Sequence, residues 1–167
     1  MREASGAGAV DQRVGDAGTL DHEALVVGEG TKPKGYEEFG ELAGHLRYAE
    51  RSSRKLARST FYAMGRWQAK LEQRQSFLGR IVDIGAELFA ISAAVVYADT
   101  IAKESPERAE SARELADLFC LQARRRADGL FHALWANDDD AGYAAAIKLL
   151  DGRYTWLEDG ISDPGDR

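Results

Sequence analysis

The sequence predicts an all-α protein: an antiparallel bundle of three long helices plus a short C-terminal helix, with a disordered N-terminal tail. Apolar residues recur at three- and four-residue steps over three long segments, which is the period of a helix packed on one side. No segment shows the alternation of apolar and polar residues that marks a half-buried strand. The 167 residues, 44% of them hydrophobic, suffice for one domain and its core.

The bundle is predicted to be organised around a central helix, Phe77–Ala98. Charges at Arg80, Asp83 and Glu87 leave Leu88–Ala98 as an uncharged run, shorter than the roughly 20 residues that a membrane crossing needs. We therefore expect this helix to be the most buried one, covered by helices of its own chain or of a partner. Its predicted packing residues are Leu78, Ile81, Val82, Gly85, Leu88, Phe89, Ser92, Val95 and Val96.

A first long helix is predicted from about Glu37 to about Gln73. Acidic residues suit its first turns because they meet the positive end of the helix dipole. The face expected to pack on the central helix contains Leu46, Ala49, Ser53, Leu56, Thr60, Met64, Trp67 and Leu71.

The other face of this first helix is basic. Four of its cations are the candidate contact for an anion or an anionic partner: Arg51, Arg54, Lys55 and Arg58. The alternative is an ordinary solvated surface whose charges pair with acids on neighbouring helices.

Two more helices follow. Ser105-Pro106-Glu107 has the residue types of a helix start, with Ser as the N-cap, and the third helix should run to about Trp135. The fourth is short and amphipathic and should stop at Gly152. Beyond it, an aromatic plug is expected to fold back on the bundle, formed by Tyr154, Trp156 and Leu157.

The candidate chemical groups favour packing over catalysis. Asp83 and Glu87 lie four residues apart on one face, but a ferritin-like metal site needs Glu-x-x-His on two helices, and no His here follows Glu at that spacing. We expect arginines from an adjacent helix to neutralise both carboxylates, and we predict no metal ligands and no catalytic residue. The single cysteine, Cys120, is expected to be a buried, reduced thiol.

The charge balance bears on partners and compartment. The net charge is -6, whereas nucleic-acid-binding domains are usually basic, so no nucleic-acid partner is expected. Residues 1–30 contain two Arg and six acidic residues, and anionic membranes should repel them. One cysteine excludes an internal disulfide, and no secretory signal is recognised, so we expect a soluble cytoplasmic protein with no stable membrane binding.

Three stretches of continuous sequence, Arg54–Val96, Glu114–Trp135 and Leu149–Ile161, resemble one family. They are similar to the extra C-terminal helical region of large acyl-CoA dehydrogenases, the very-long-chain type and its actinobacterial relatives. We expect three parts: from composition, a flexible, acidic, Gly-rich tail over 1–35 and a frayed C-terminus over 162–167, and between them a helical domain over 36–161 that the resemblance implies is acyl-CoA dehydrogenase C-terminal-like. The resemblance also implies FAD in the full-length enzymes, which oxidise acyl-CoA in fatty-acid β-oxidation while a Glu removes the α proton.

The chain departs from that family by omission. It has no strands for the middle domain and no segment matching the flavin-binding core, so no residue is nominated as a FAD ligand, and Glu87 is expected to be a helix-packing residue. The resemblance implies a structural, dimerising portion without its own cofactor, inactive alone, which forms a homodimer or associates with a dehydrogenase core. The alternative is a stand-alone helical adaptor that binds an anionic partner through its basic first helix.

Overall fold

The computed structural model describes residues 35–160, and over this range the protein contains helices and no strand. Four α-helices follow in order, joined or extended by short 3₁₀ segments, so the all-α prediction is confirmed. The predicted tail and the predicted frayed C-terminus lie outside the described residues. The α-helices are α1 (Ala43–Trp67), α2 (Gln75–Glu104), α3 (Ala109–Ala133) and α4 (Asp139–Leu150), and the 3₁₀ segments are Glu37–Leu42, Gln68–Gln73, Pro106–Arg108 and Thr155–Glu158.

The predicted first helix is divided into three parts. A 3₁₀ segment precedes α1, and a second one follows it from Gln68, whose backbone has a φ of 47°. A positive φ is uncommon outside glycine and ends the α-helix there. The apolar spacing continues unchanged through Leu71, which is why the spacing alone does not reveal the break.

The buried face of α1 differs in part from the predicted one. Leu46 and Ala49 are buried as expected, but Met64 is 54% exposed, so its predicted place in the packing face is wrong. Ser52 and Ala63 are buried in its stead. Their small side chains occupy positions where the helix lies against its neighbours, and periodicity gives such residues little weight.

Helix α2 is central, since it packs against both α1 and α3. One side of it is buried, through Phe77, Ile84, Leu88, Ile91, Val95 and Ala98. The other side is open: Val82 is 69%, Phe89 75% and Val96 50% exposed, so the helices of the described chain do not cover these three residues and the predicted cover by a partner stays a prediction. Helices α1 and α3 thus leave part of the central helix uncovered.

Helix α2 is also longer than predicted. By length and composition alone it could cross a membrane, so the argument that it is too short is wrong. The core helix of a water-soluble bundle passes the same test, and here α1 and α3 cover one side of α2. Length therefore does not decide between lipid and protein as the neighbour of its open side.

The third helix begins where predicted, but without the predicted cap. The Ser105 side chain makes no capping hydrogen bond, and the Ser105 carbonyl instead accepts a hydrogen bond from the Arg108 N–H at 2.9 Å. Pro106 opens a 3₁₀ turn that leads into α3.

Helix α4 has no buried residue. It stops as predicted at Gly152, whose φ is 72°. The predicted aromatic plug is wrong, because Trp156 remains 65% exposed. The aromatic position in the core is taken by Trp135, whose ring lies 5.8 Å from Trp67 and 5.3 Å from Phe77.

Candidate functional site

The basic face of α1 is an ordered row of arginines, here called the basic stripe: Arg47, Arg51, Arg54 and Arg58. Their spacing of four, three and four residues places them along one side of the helix. Arg54 pairs with Glu50 one turn earlier, whereas Arg51 and Arg58 form no ion pair within residues 35–160. The stripe therefore contains cations that the described part of the chain does not neutralise.

Lys55, the fourth predicted contact, is separate from this stripe. Its Nζ lies 4.5 Å from the centroid of the Phe131 ring on α3. This cation–π contact directs the lysine toward the bundle. The structure thus groups Arg51, Arg54 and Arg58 and places Lys55 elsewhere. Arg47 belongs to the basic face predicted from the sequence but not to the four candidate contacts, and its Nε donates a hydrogen bond to the Gly35 carbonyl at 3.2 Å.

The second candidate surface is the open side of α2, here called the α2 strip: Val82, Ala86, Phe89, Ala93 and Val96. All five residues are exposed and follow one another at steps of four and three. The strip lies on the side of the helix opposite the core residues Ile84, Ile91 and Val95, so α1 and α3 cannot cover it. A contiguous apolar surface of this kind marks an interaction site more often than an ordinary surface does.

A shallow groove runs beside the α2 strip, between α2 and α3. Arg126 crosses it and donates two hydrogen bonds to the Glu87 carboxylate, at 2.6 and 2.9 Å. The carboxylate raises the pKa of the Arg126 guanidinium further above its usual value. The predicted neutralisation is confirmed for Glu87, but Asp83 is exposed without an ion pair in the described chain, so for Asp83 that prediction is wrong.

A polar network fixes α1 against α3 and so determines which side of α2 remains open. His45 is buried, and its Nε2 lies 2.7 Å from Asp117 Oδ1. The Tyr48 hydroxyl donates to Asp128 Oδ1 at 2.7 Å. Burial, together with that hydrogen bond, raises the pKa of Tyr48 to about 12. These groups have their partners within the bundle, which indicates a structural network.

Helix α4 is held by ion pairs at its first turn. Arg80 donates two hydrogen bonds to the Asp139 carboxylate, both at 2.7 Å, and Arg74 pairs with Asp140. The hydrogen bond from Arg80 is the main cause that lowers the pKa of Asp139. The rest of α4 is exposed, including Tyr143 and Leu150.

The described residues do not fit a flavin or a metal ion. Within residues 35–160 no three His, Cys, Asp or Glu side chains are grouped to hold a metal. The more enclosed cavity, about 340 Å³, is lined by Glu38, Glu41 and Asp99 with Arg113 as its one cation. Three carboxylates would repel the two phosphates of FAD. Cys120 is fully buried in the core, as expected from the sequence, and is not part of this cavity.

The sequence comparison shows which proteins this chain is similar to. The chain is homologous to the C-terminal region of a large acyl-CoA dehydrogenase. It is 60% identical over 142 residues to "Probable acyl-CoA dehydrogenase FadE10" of Mycobacterium tuberculosis, and equally to the protein of that name in Mycobacterium bovis. The matched stretch covers 85% of this chain and 22% of each relative.

The chain thus spans about a fifth of the length of these curated relatives. No family model matches it, and no solved structure matches it. The resemblance inferred from the three sequence stretches is confirmed by this identity.

Proposed function

We propose that this chain is the C-terminal helical, dimerising portion of a FAD-dependent acyl-CoA dehydrogenase of fatty-acid β-oxidation, and that it is inactive alone. The observation that carries the proposal is the 60% identity over 142 residues to a protein named as an acyl-CoA dehydrogenase. The matched part is 22% of that relative, so the remainder of such an enzyme is available to supply the chemistry.

In the proposed full enzyme, bound FAD would supply the hydride-accepting chemistry. The flavin is held by parts outside this chain, because the cavity lined by Glu38, Glu41 and Asp99 offers it no cationic cradle. This chain supplies no catalytic residue. Its contribution is to present the α2 strip as an association surface, toward a second copy or toward a dehydrogenase core, in the cytoplasm.

The apolar character of the α2 strip supports this role. Burying an exposed Phe or Val side chain contributes roughly 1.5 to 3 kcal/mol. Phe89 is 75% exposed, so a partner that covers it gains most of that free energy. Lipid is a poorer neighbour, because Asp83 lies beside the strip without an ion pair in the described chain.

Co-expression tests the proposed function. The 167-residue chain is produced alone and together with the mycobacterial relative lacking its matching region. We expect the chain alone to be colourless and unable to pass electrons from acyl-CoA to a dye acceptor. With the dehydrogenase part we expect a yellow complex that co-purifies. Flavin bound to the chain alone, or failure of the two polypeptides to associate, would contradict the proposal.

A second function, a helical adaptor for an anionic partner, is favoured by one observation. Arg51 and Arg58 form no ion pair within the described residues although they lie on one stripe. Polyglutamate labelled with a fluorophore is a suitable probe. Anisotropy that rises at low salt and is lost in Arg51→Gln/Arg58→Gln, while the co-expressed complex does not form, would favour the adaptor over the enzyme portion.

A further inference from the structure

We infer that the α2 strip is a self-pairing seam, covered by the α2 strip of a second copy of this chain running antiparallel to it. The inference rests on the proposed function in treating α2 as the association surface. It goes further by naming the occupant, the orientation and the register.

Two interleaved seven-residue repeats on the outer side of α2 carry the inference. Bulky side chains recur at Val82, Phe89 and Val96. Small residues recur at the same interval, and all of them are exposed: Gly79, Ala86, Ala93 and Thr100. Together the two repeats form the alternating three- and four-residue spacing by which one helix packs along another. The side of α2 that faces α1 and α3 is a different one, so this spacing is not used in packing among residues 35–160.

The alternation of large and small residues makes the seam complementary to itself when two copies run antiparallel. In one register Phe89 of each copy lies over Ala86 of the other, and Val82 lies over Ala93. The pair Val96 and Gly79 then meets in the same way. Every bulky side chain faces a small one, which lets the helices approach closely without voids. In a parallel pair, Phe89 would meet Phe89 and Ala86 would meet Ala86, leaving clashes and gaps in alternate layers.

Charge favours the same arrangement. In this register Asp83 lies beside Ala90 of the second copy, on the same flank of the seam, so no two carboxylates oppose each other there. Glu87, the other acid beside the strip, is already neutralised by Arg126. Antiparallel helices also place the positive end of each helix dipole beside the negative end of the other. The paired stretch from Gly79 to Val96 is about 25 Å long, at 1.5 Å per residue.

Cysteine cross-linking in the full chain tests orientation and register together. The double variant Val82→Cys/Ala93→Cys places two thiols about 16 Å apart on one helix, too far to pair within it. In the antiparallel register each thiol meets its complement on the second copy. We expect mild oxidation to give a covalent dimer with the double variant and not with either single variant. Cys120 is fully buried and adds no background.

Three outcomes would overturn the inference. A dimer formed by Val82→Cys alone would indicate parallel helices. Absence of a dimer in the double variant, with its far-UV circular dichroism unchanged, would show that the strips do not meet. Wild-type chain that stays monomeric in light scattering at high concentration would show that no second copy covers the strip.

A matched pair of aspartate variants adds an equilibrium measurement. Phe89→Asp places a charge in the seam and should raise the dimer dissociation constant at least tenfold. Phe61→Asp is the control, because Phe61 is 78% exposed on α1 and lies outside the seam. Equal dissociation constants for the two variants would overturn the inference.

The cross-linking result is separable from the proposed function. If the chain co-purifies with the dehydrogenase part but the double variant gives no dimer, the proposed function stands and the self-pairing fails. If the dimer forms and no association with the dehydrogenase part is seen, self-pairing stands and the proposed function fails.

Discussion

Cys120 is a side chain whose chemistry is determined by its packing. It lies fully buried on α3, with its Sγ 3.7 Å from the Ile91 carbonyl of α2. Burial is the main cause that raises its pKa, to about 11. The thiol therefore behaves as a small apolar group at the contact between the two most closely packed helices.

We expect Cys120 to be almost inert toward a disulfide reagent such as DTNB at pH 8. With a pKa of about 11, only about 0.1% of the thiol is ionised at that pH, and the reagent cannot reach it. Unfolding in guanidinium should release one reactive thiol per chain. Rapid stoichiometric labelling of the native protein would show that the contact between α2 and α3 opens readily.

Tyr48 is a polar side chain whose properties are likewise determined by its packing. Tyr48→Phe removes the hydroxyl that donates to Asp128, and we expect the free energy of unfolding at pH 7 to fall by about 1 kcal/mol. Because the folded-state pKa of about 12 is above the ordinary value of 10.0, ionisation favours the unfolded chain at high pH. The advantage of the wild type over the variant should therefore be complete below about pH 10 and shrink as the pH rises toward about 12. Urea titrations of both proteins measure it, and a difference that grows with pH would contradict the assignment.

At the scale of elements, α4 depends on its charged first turn. Its Asp139 carboxylate is fixed by two hydrogen bonds from Arg80, while its apolar residues remain exposed. A helix of 12 residues is marginal without packing, so these ion pairs keep it next to α2.

We expect Arg80→Met to speed amide hydrogen exchange in α4 while the core amides of α2 and α3 stay protected. The free energy of global unfolding should change by about 1 kcal/mol or less, as for other exposed ion pairs. Arg108→Met is the control, because the ion pair that Arg108 forms within residues 35–160 is with its neighbour Glu107 and does not involve α4. Slow exchange in α4 of the Arg80 variant would show that something other than the ion pair holds the helix.

The same ion pair gives a pH dependence with a definite sign. The pKa of Asp139 is lowered in the folded chain, so its contribution is fully present above the unfolded pKa of about 4. It is lost as the pH falls through the lower folded value. The protection factors of the α4 amides, corrected for the intrinsic pH dependence of exchange, should therefore fall in acid in the wild type and depend less on pH in Arg80→Met.

The elements also show what the sequence can and cannot predict. Apolar spacing predicts α1, α2 and α3 because each packs one side on the core. It does not predict the break at Gln68, which depends on one backbone angle, or the buried positions of Ser52 and Ala63. In α2 apolar residues occur on nearly every side of the helix. The sequence therefore indicates that other helices must pack around α2, but not which side α1 and α3 leave exposed.

The four residues of the predicted anion contact do not all lie together in the structure, for a related reason. Arg51, Arg54 and Arg58 share a side because of helical geometry, which the sequence contains. Lys55 is drawn to the Phe131 ring, far away in the sequence, and only the folded structure brings the two together. The sequence predicts that an arginine of an adjacent helix pairs with Glu87, because a carboxylate on a packed helix needs a cation. It does not predict that this arginine is Arg126.

At the scale of the whole molecule, the basic stripe and the α2 strip are the two surfaces to compare as partner contacts. They lie on different helices, and their chemistry is opposite. A membrane surface would need both kinds of contact at once, apolar insertion and cationic attraction. The stripe lies on α1, which packs against the buried side of α2, whereas the strip is on the open side, so the two do not form one membrane-facing surface.

We therefore expect the chain not to sediment with anionic vesicles made of phosphatidylserine and phosphatidylcholine. The net charge of -6, with six acidic residues and two Arg in residues 1–30, opposes approach to such a surface. Changing Arg51, Arg54, Lys55 and Arg58 to Gln should leave sedimentation unchanged at both low and high salt. A matched variant that changes four basic residues elsewhere, Arg66, Lys70, Arg113 and Arg125, controls for the change in net charge. Salt-reversible sedimentation of the wild type, lost in the first variant and kept in the second, would show that the basic stripe binds anionic headgroups and would favour the adaptor function.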